Sequence, residues 1–280
     1  MLPTIKIENA RGDVLNLTSD TRYKVTAAGT APPVATINTS KVSLNDGERF
    51  NSSTRNMRNL VLTIHIVKDV GRSRLELYRY IVSGAYIKVY YKTENLDVWI
   101  DGYVESIECD EWTLGQVMQV SILCPFPFWQ DMTETYTDAS NIHSLLQFPW
   151  SAPAAGVELS SVDTEAYTVI TNKGHVESGM RLVIRATVRT LQPKIFNLAT
   201  GEWIGFTVDM AQGDILTVDT TQGRKSVYLE SGGVVTNHIN TIMVGSTWLQ
   251  LAPGENEISY TVSEGNIHLG IYHMNKYQGV

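Results

Sequence analysis

The chain has 280 residues, of which 43% are hydrophobic and 18% charged, with a formal net charge of −7. It is long enough for two ordinary domains or one large β domain, and too apolar to stay disordered. The acidic balance, with no Lys/Arg block, argues against binding along nucleic-acid phosphates. No apolar run approaches the roughly 20 residues that span a bilayer. The opening MLPTIKIENARGD lacks the charged and then apolar pattern of a secretory leader, so synthesis and folding in a cytoplasm are expected, without membrane insertion.

Residues 1–136 read mainly as strands. TIKIEN, VLNLT, YKVTAAG, LVLTIHIV, YIKVYYKT, LDVWIDGYVESIEC and GQVMQVSILC are rich in β-branched and aromatic residues, with stretches of period-two alternation. Loops are expected at SLNDGERF and STRNMRN. One segment, GRSRLELYRYIVSG, places Leu75, Tyr78 and Val82, with Leu77 and Ile81, at helical spacing, which predicts a helix over 72–83 opened by Gly71 and Ser73 and closed by Gly84. The run from Asp97 to Cys124 predicts a long hairpin with Cys109 near its turn and Cys124 at its far end, too far apart for the roughly 7 Å that a disulfide allows. In ILCPFPFWQD, Pro125 and Pro127 are expected to end the ladder, since proline cannot donate to it. Phe126, Phe128 and Trp129 are expected to pack within the chain at the exit of the first domain.

A connector over 137–165, packed by Phe148 and Trp150, leads to a second domain over 166–280. There the pattern shifts to short strands with turns at Thr200-Gly201, Gln212-Gly213-Asp214, Gln222-Gly223 and Pro253-Gly254, the signature of an antiparallel sandwich or jelly roll. The fold class is therefore mainly β: an N-terminal sandwich or split barrel with one helix, then a C-terminal jelly-roll sandwich.

Chemical signatures are sparse. The histidines fall in no zinc frame and no G-x-S-x-G elbow fixes a nucleophile, so no catalytic group, metal or cofactor is expected. Glu105, Glu108, Asp110 and Glu111 cluster at the predicted hairpin end, where a glycosidase pair competes with a solvated, edge-protecting tip. Asp209, Asp214 and Asp219 alternate with apolar residues without a compact calcium loop. Trp203, Trp248 and Tyr272 are candidates for stacking on sugar rings, which makes a carbohydrate-binding module that attaches to host cell-wall saccharide the alternative function.

Ordered phrases then resemble a known family. RNLVLTIHIV, the helix after it, WIDGYVESIEC and VSILCPFPFW are similar to the N-terminal domain of distal tail proteins of long-tailed phages. TVITNKGHVESGMRLVIRA, PKIFNLATGEWIGF, GDILTVDTTQGRKSV, STWLQLAPGENEISYT and the closing YQGV resemble that family's C-terminal domain. The resemblance implies a component of a virion or of a phage-tail-like particle: a ring, usually a homo-hexamer, of N-terminal domains at the end of the tail tube, carrying galectin-like C-terminal sandwiches. It implies as partners the tail tube protein, the tail-tip hub or lysin-bearing protein, and receptor-binding or baseplate proteins. The H-x-N-P-R and W-G-x-E sugar motifs of galectins do not occur. Candidate inter-subunit residues are Asn45, Arg49, Arg58, Arg72, Tyr78, Trp99, Tyr103 and Trp112, on the loop 45–58, the helix and the long hairpin.

Overall fold

A computed structural model describes residues 3–41, 46–110, 113, 115–139, 142–144, 160–162 and 167–280, the two segments 142–144 and 160–162 as backbone only. The chain forms two compact units: Met1–Met132 with Lys276–Val280, and Thr133–Asn275. Every strand pair among the described residues is antiparallel, so the fold is mainly β, as the alternating sequence implies.

In the first unit the strands are β1 (Thr4–Asn9), β2 (Val14–Asn16), β3 (Tyr23–Ala27), β4 (Ala35–Lys41), β5 (Glu48–Arg55) and β6 (Arg58–Ile66). Helix α1 (Val70–Tyr80) precedes β7 (Tyr86–Lys92), β8 (Asp97–Cys109), β9 (Gln116–Cys124) and β10 (Trp129–Asp131). The main sheet runs β2-β1-β7-β8-β9-β6-β3. Its buried face is set by period two: Leu60, Leu62, Ile64 and Ile66 of β6 meet Met118, Val120 and Ile122 of β9, Val98 and Ile100 of β8, and Ile87 and Val89 of β7.

Helix α1 starts earlier and stops earlier than the predicted 72–83, because Asp69 (φ 45°) turns the chain into it and Ile81, buried in the core, is already extended. Its buried stripe is Ser73 and Leu77, four apart, while Leu75 and Val82 of the predicted stripe face outward. Arg22 fastens the helix to the sheet side by bonding both Glu76 and Asp20.

Two expectations change around the prolines. Pro125 and Pro127 follow the end of β9 at Cys124, as expected, but do not end the sheet, because the chain returns as β10 to pair with β8 through Gln130↔Trp99 and Asp131↔Val98. Trp129 is buried in the first unit's core, whereas Phe126 is exposed. The narrow passage beside this jog is kept by Gly102, whose Cβ would lie 2.4 Å from the Leu123 carbonyl oxygen and 3.0 Å from Cys124 Sγ. Cys109 and Cys124 are not joined in a disulfide, and burial pushes the Cys124 thiol up to about 12.

The second unit begins with β11 (Thr135–Asp138), β12 (Ile142–Ser144), β13 (Ser160–Val162), β14 (Thr168–Asn172), β15 (Ser178–Ala186), β16 (Thr190–Leu191), β17 (Lys194–Asn197) and β18 (Glu202–Gly205). It continues with β19 (Asp209–Met210), β20 (Ile215–Asp219), β21 (Ser226–Ser231), β22 (Val234–Asn237), β23 (Gln250–Leu251), β24 (Gly254–Thr261) and β25 (Ile267–His273). One sheet runs β11-β25-β15-β20-β21-β22, another β14-β24-β17-β18. Between them lies a core of Leu182, Ile184, Leu216, Val218, Ile195, Phe206, Ile258 and Ile271. Buried amides tie its loops: Asn172 Nδ2 donates to the carbonyls of Val176 (3.0 Å) and Leu251 (2.9 Å), and Asn256 Nδ2 to that of Ala252 (2.8 Å).

The last strand, β26 (Lys276–Tyr277), lies in the first unit, pairing with β10 through Trp129↔Tyr277 and Gln130↔Lys276. The units thus divide near 132, with β11 already paired to β25 inside the second, and the closing YQGV falls in the first unit rather than in a domain 166–280. Most of the expected connector 137–165, with Phe148 and Trp150, lies outside the described residues.

Candidate assembly surface

Strands β4 and β5, expected as loop on the β5 side, pair as a two-stranded sheet of their own, and every residue of the two strands is exposed. Such an arm has no core to stabilise it, and isolated two-stranded hairpins are marginal in water. Its polar rungs are satisfied across the strands: Asn38 Nδ2 donates to Ser52 Oγ (3.0 Å), and Thr36 Oγ1 to Asn56 Oδ1 (3.0 Å).

The register gives the arm two unlike faces. Ile37 pairs with Ser53 and Asn38 with Ser52, but a shift past Asn51 brings Phe50 opposite Thr39. Ala35, Ile37, Thr39 and Lys41 therefore share one face with Phe50, Ser53, Arg55 and Glu48, while Thr36, Asn38, Ser40, Arg49, Ser52 and Thr54 take the other, so only the first face carries large apolar side chains, among polar ones. Ile37 is 63% exposed and Phe50 61% exposed. Large apolar side chains on one side of an arm that touches no core mark an interaction surface.

A second region is the outward face of β1, β7 and β8. The pairs Tyr86↔Tyr103, Lys88↔Asp101 and Tyr90↔Trp99 put four aromatic rings on one side of the sheet, opposite the core residues Ile87, Val89 and Ile100. Tyr86 Oη donates to Asp101 Oδ2 (3.2 Å) and Tyr90 Oη to Glu8. Burial first, and the adjacent carboxylate second, push the Tyr86 phenol up to about 12, and burial raises Tyr90 as well. Lys88 Nζ sits 3.8 Å from the Trp99 ring centre, and Trp99 Nε1 donates to the Asp131 carbonyl (2.9 Å). Tyr103 meets Tyr86 edge to face at 6.0 Å and stays exposed. Tyr and Trp concentrated on a partly dry face are the residue types that carry protein interfaces.

The predicted contact residues fare unevenly. Arg49 is exposed on the arm, Arg72 is exposed on α1, and Tyr103 is exposed on the aromatic face. Tyr78 and Trp99 are half-buried, Tyr78 against the first unit's own core. Arg58 is a correction: it is only 4% exposed and bonds inside the unit, so it is not on a contact surface. Asn45 and Trp112 lie outside the described residues. The missed element is the arm, because polar residues on a strand without burial leave no alternation; the Asp46-Gly47 pair between two Thr/Ser-rich runs was the available signal.

The other candidates disperse. Trp203 belongs to β18 and lies 6.5 Å from the Phe196 ring, Trp248 packs on the second unit's core, and Tyr272 sits on the other sheet against Tyr136 at 4.9 Å. These rings do not form one stacking platform, which corrects the sugar-stacking expectation. Asp209 is bound by Arg189 (2.6 Å), Asp214 accepts from the Ala211 amide (2.9 Å) and Asp219 from the Thr221 amide (2.8 Å), so each carboxylate is committed locally. No metal-ligating cluster occurs among the described residues. Glu105 accepts the Ser121 hydroxyl (2.8 Å), and Glu111 lies outside the described residues. No helix among the described residues is long and apolar enough to cross a membrane.

Residues 173–277 match the family model of the siphovirus-type tail component, C-terminal domain. The sequence matches no curated protein. Among solved structures the chain is similar to the Dit protein of phage SPP1, described as a paradigm of the hub adsorption apparatus in phages that infect Gram-positive hosts. That match has 12% identity and a TM-score of 0.71, and covers 99% of each chain. It is also similar to a chain of the phage P2 baseplate in its activated conformation with Ca, at 12% identity and a TM-score of 0.56 over 100% of both chains.

Proposed function

We propose, on the premise that residues 173–277 are a C-terminal domain of the siphovirus-type tail component family, that this chain is a structural hub of a phage tail tip or baseplate. The observation that carries the reading is the match of both units, in order and over 99% of each chain, to a hub protein of the adsorption apparatus. Copies of the first unit form a ring, six-fold in the reading the sequence resemblance gave, that joins the tail tube to tip, receptor-binding or lysin-bearing components. The role is architectural and needs no catalytic group.

The arm supports a ring physically. A ring repeats one heterologous contact until it closes, so each copy must offer an arm and a receptor for the next arm. Covering what remains exposed of Ile37 and Phe50 on a neighbour contributes at most about 2–4 kcal/mol per contact before the cost of association, so the ring depends on closure making the repeated contacts cooperative. Arg49, Arg72 and Tyr103 are the sequence-predicted residues exposed on the first unit, and contacts through them are part of the proposal.

Native mass spectrometry and negative-stain microscopy of the purified protein test this. A closed ring is expected, and Ile37→Asp with Phe50→Asp is expected to release folded monomers. A protein that stays monomeric at high concentration, both alone and mixed with its tail tube protein, overturns the reading.

A further inference from the structure

The arm's direction is set at its base, because no residue of β4 or β5 is buried. The base closes with the Asn56 amide donating to the Val34 carbonyl (3.0 Å). Thr30 and Pro32 lead into it and Arg58 leads out of it. Both sides of this base meet one segment, Lys276–Val280, the strap that follows the second unit in the chain.

The contacts on the entering side are backbone and tight. The Val280 amide donates to the Thr30 carbonyl (3.3 Å), and a Cβ on Gly279 would stand 3.0 Å from Thr30 O and 3.2 Å from Pro32 Cδ. Tyr277 and Val280 pack on the first unit's core. On the leaving side Arg58 Nη2 donates to the Gln278 carbonyl, its guanidinium lying 5.9 Å from the Trp129 ring centre.

Arg58 makes that bond unusually consequential. Its side chain is buried, its Nε and Nη1 find no acceptor among the described residues, and it pairs in the ladder with Cys124 rather than with a carboxylate. A buried cation with so few partners is costly, and removing the Gln278 carbonyl would leave it with the ring of Trp129 alone. The strap is thereby drawn to Arg58, and the first residue of β6 is held against the strap.

We propose that Lys276–Val280 is a clamp for the arm: it grips the chain before β4 through Thr30 and Pro32 and after β5 through Arg58, and so fixes the direction in which the Ile37 and Phe50 face meets a second copy. Arg58 is a positioning residue in this device, acting through the strap. The inference rests on the reading of the arm as the docking element.

Two readouts test it on the full chain. Spin labels on the arm at Asn38 and on the body at Lys24, in a Cys109→Ser background with Cys124 protected by burial, report the arm's direction at a concentration too low for assembly. Native mass spectrometry reports assembly. Arg58→Met removes the bond to Gln278 and the buried charge together, which leaves the core intact. A chain shortened by residues 277–280 removes the strap itself.

For both variants the label-to-label distances are expected to broaden, and the association constant per contact to fall about tenfold, the scale of one charge-assisted hydrogen bond. Unchanged distances in both, or broadened distances with full assembly, overturn the clamp. Failure of the docking reading is separately visible: Ile37→Asp would then leave assembly unaffected, while the distance measurement still judges the grip of the strap.

Discussion

Two hairpins of the first unit share a topology and differ in everything that stabilises them. In β8–β9 the chain alternates between core and solvent, with Val98, Ile100, Val104, Met118, Val120 and Ile122 all buried. In β4–β5 no side chain is buried, and Ser, Thr and Asn rungs such as Asn38 and Ser52 bond across the strands. The first hairpin is held by its own chain, the second by its base and, in the function proposed, by another copy. The difference shows that antiparallel pairing by itself carries little stability, and that the location of the apolar face decides whether a hairpin belongs to a core or to a contact.

Truncation in the core hairpin should give the largest effect. Ile122→Ala removes a fully buried side chain from β9 and is expected to lower folding stability by about 2–5 kcal/mol, measured by urea denaturation. A loss below about 1 kcal/mol would mean that β8–β9 is no better supported than the arm, and the contrast would fail.

Alkali should act on the same hairpin through Cys124. Burial raises its thiol from 9.0 to about 12, so the folded state resists ionisation that the unfolded chain undergoes. Its contribution is intact below pH 9.0 and is lost as pH rises toward about 12. Between pH 9 and 10 the loss is about 1 kcal/mol from this group alone. Comparing wild type with Cys124→Ala isolates it, and equal slopes in the two proteins would show that the thiol ionises freely. In the folded protein Cys124 should also resist a maleimide that labels the half-buried Cys109 faster.

What the sequence disclosed follows the same division. β6, β8 and β9 were legible because burial on one face writes period two into the residues, and in the second unit Gly201, Gly213, Gly223 and Gly254, all at positive φ, marked turns. The arm was illegible because exposure on both faces removes the pattern. The helix was located but rotated: its apolar residues occupy several sides, and only packing selects Leu77 and Ser73 over Leu75. The resumption of β10 after two prolines, and the strap beside it, depend on pairing across 146 residues from Gln130 to Lys276, which no local window contains. Arg58 was misread for a related reason, since an arginine next to an exposed loop is ordinarily solvated, and its acceptor lies at Gln278.

A smaller effect is expected where α1 meets the sheet side. Arg22 bonds Asp20 and Glu76, and the hydrogen bond from Arg22 holds the Asp20 carboxyl below its usual range. These groups are partly exposed, so Glu76→Gln should cost about 0.5–1 kcal/mol. For Asp20 the contribution is present above its unfolded value of 3.8 and is lost as pH falls through the lowered folded value. An acid titration of stability should therefore be steeper in wild type than in Asp20→Asn. Equal slopes would mean that the contact is screened to nothing.

The smallest effect on folding is the most telling one. Ile37→Ser and Phe50→Ser change exposed side chains that touch no core, so urea denaturation of the dispersed protein should move by no more than about 0.5 kcal/mol. The same substitutions in a buried hairpin would cost several times that, since they would remove apolar contact and bury a hydroxyl. A drop of 2 kcal/mol or more would show that the arm folds back on its own chain in solution. Stability unchanged together with loss of the ring would place the missing half of the arm's hydrophobic contact in the neighbouring copy.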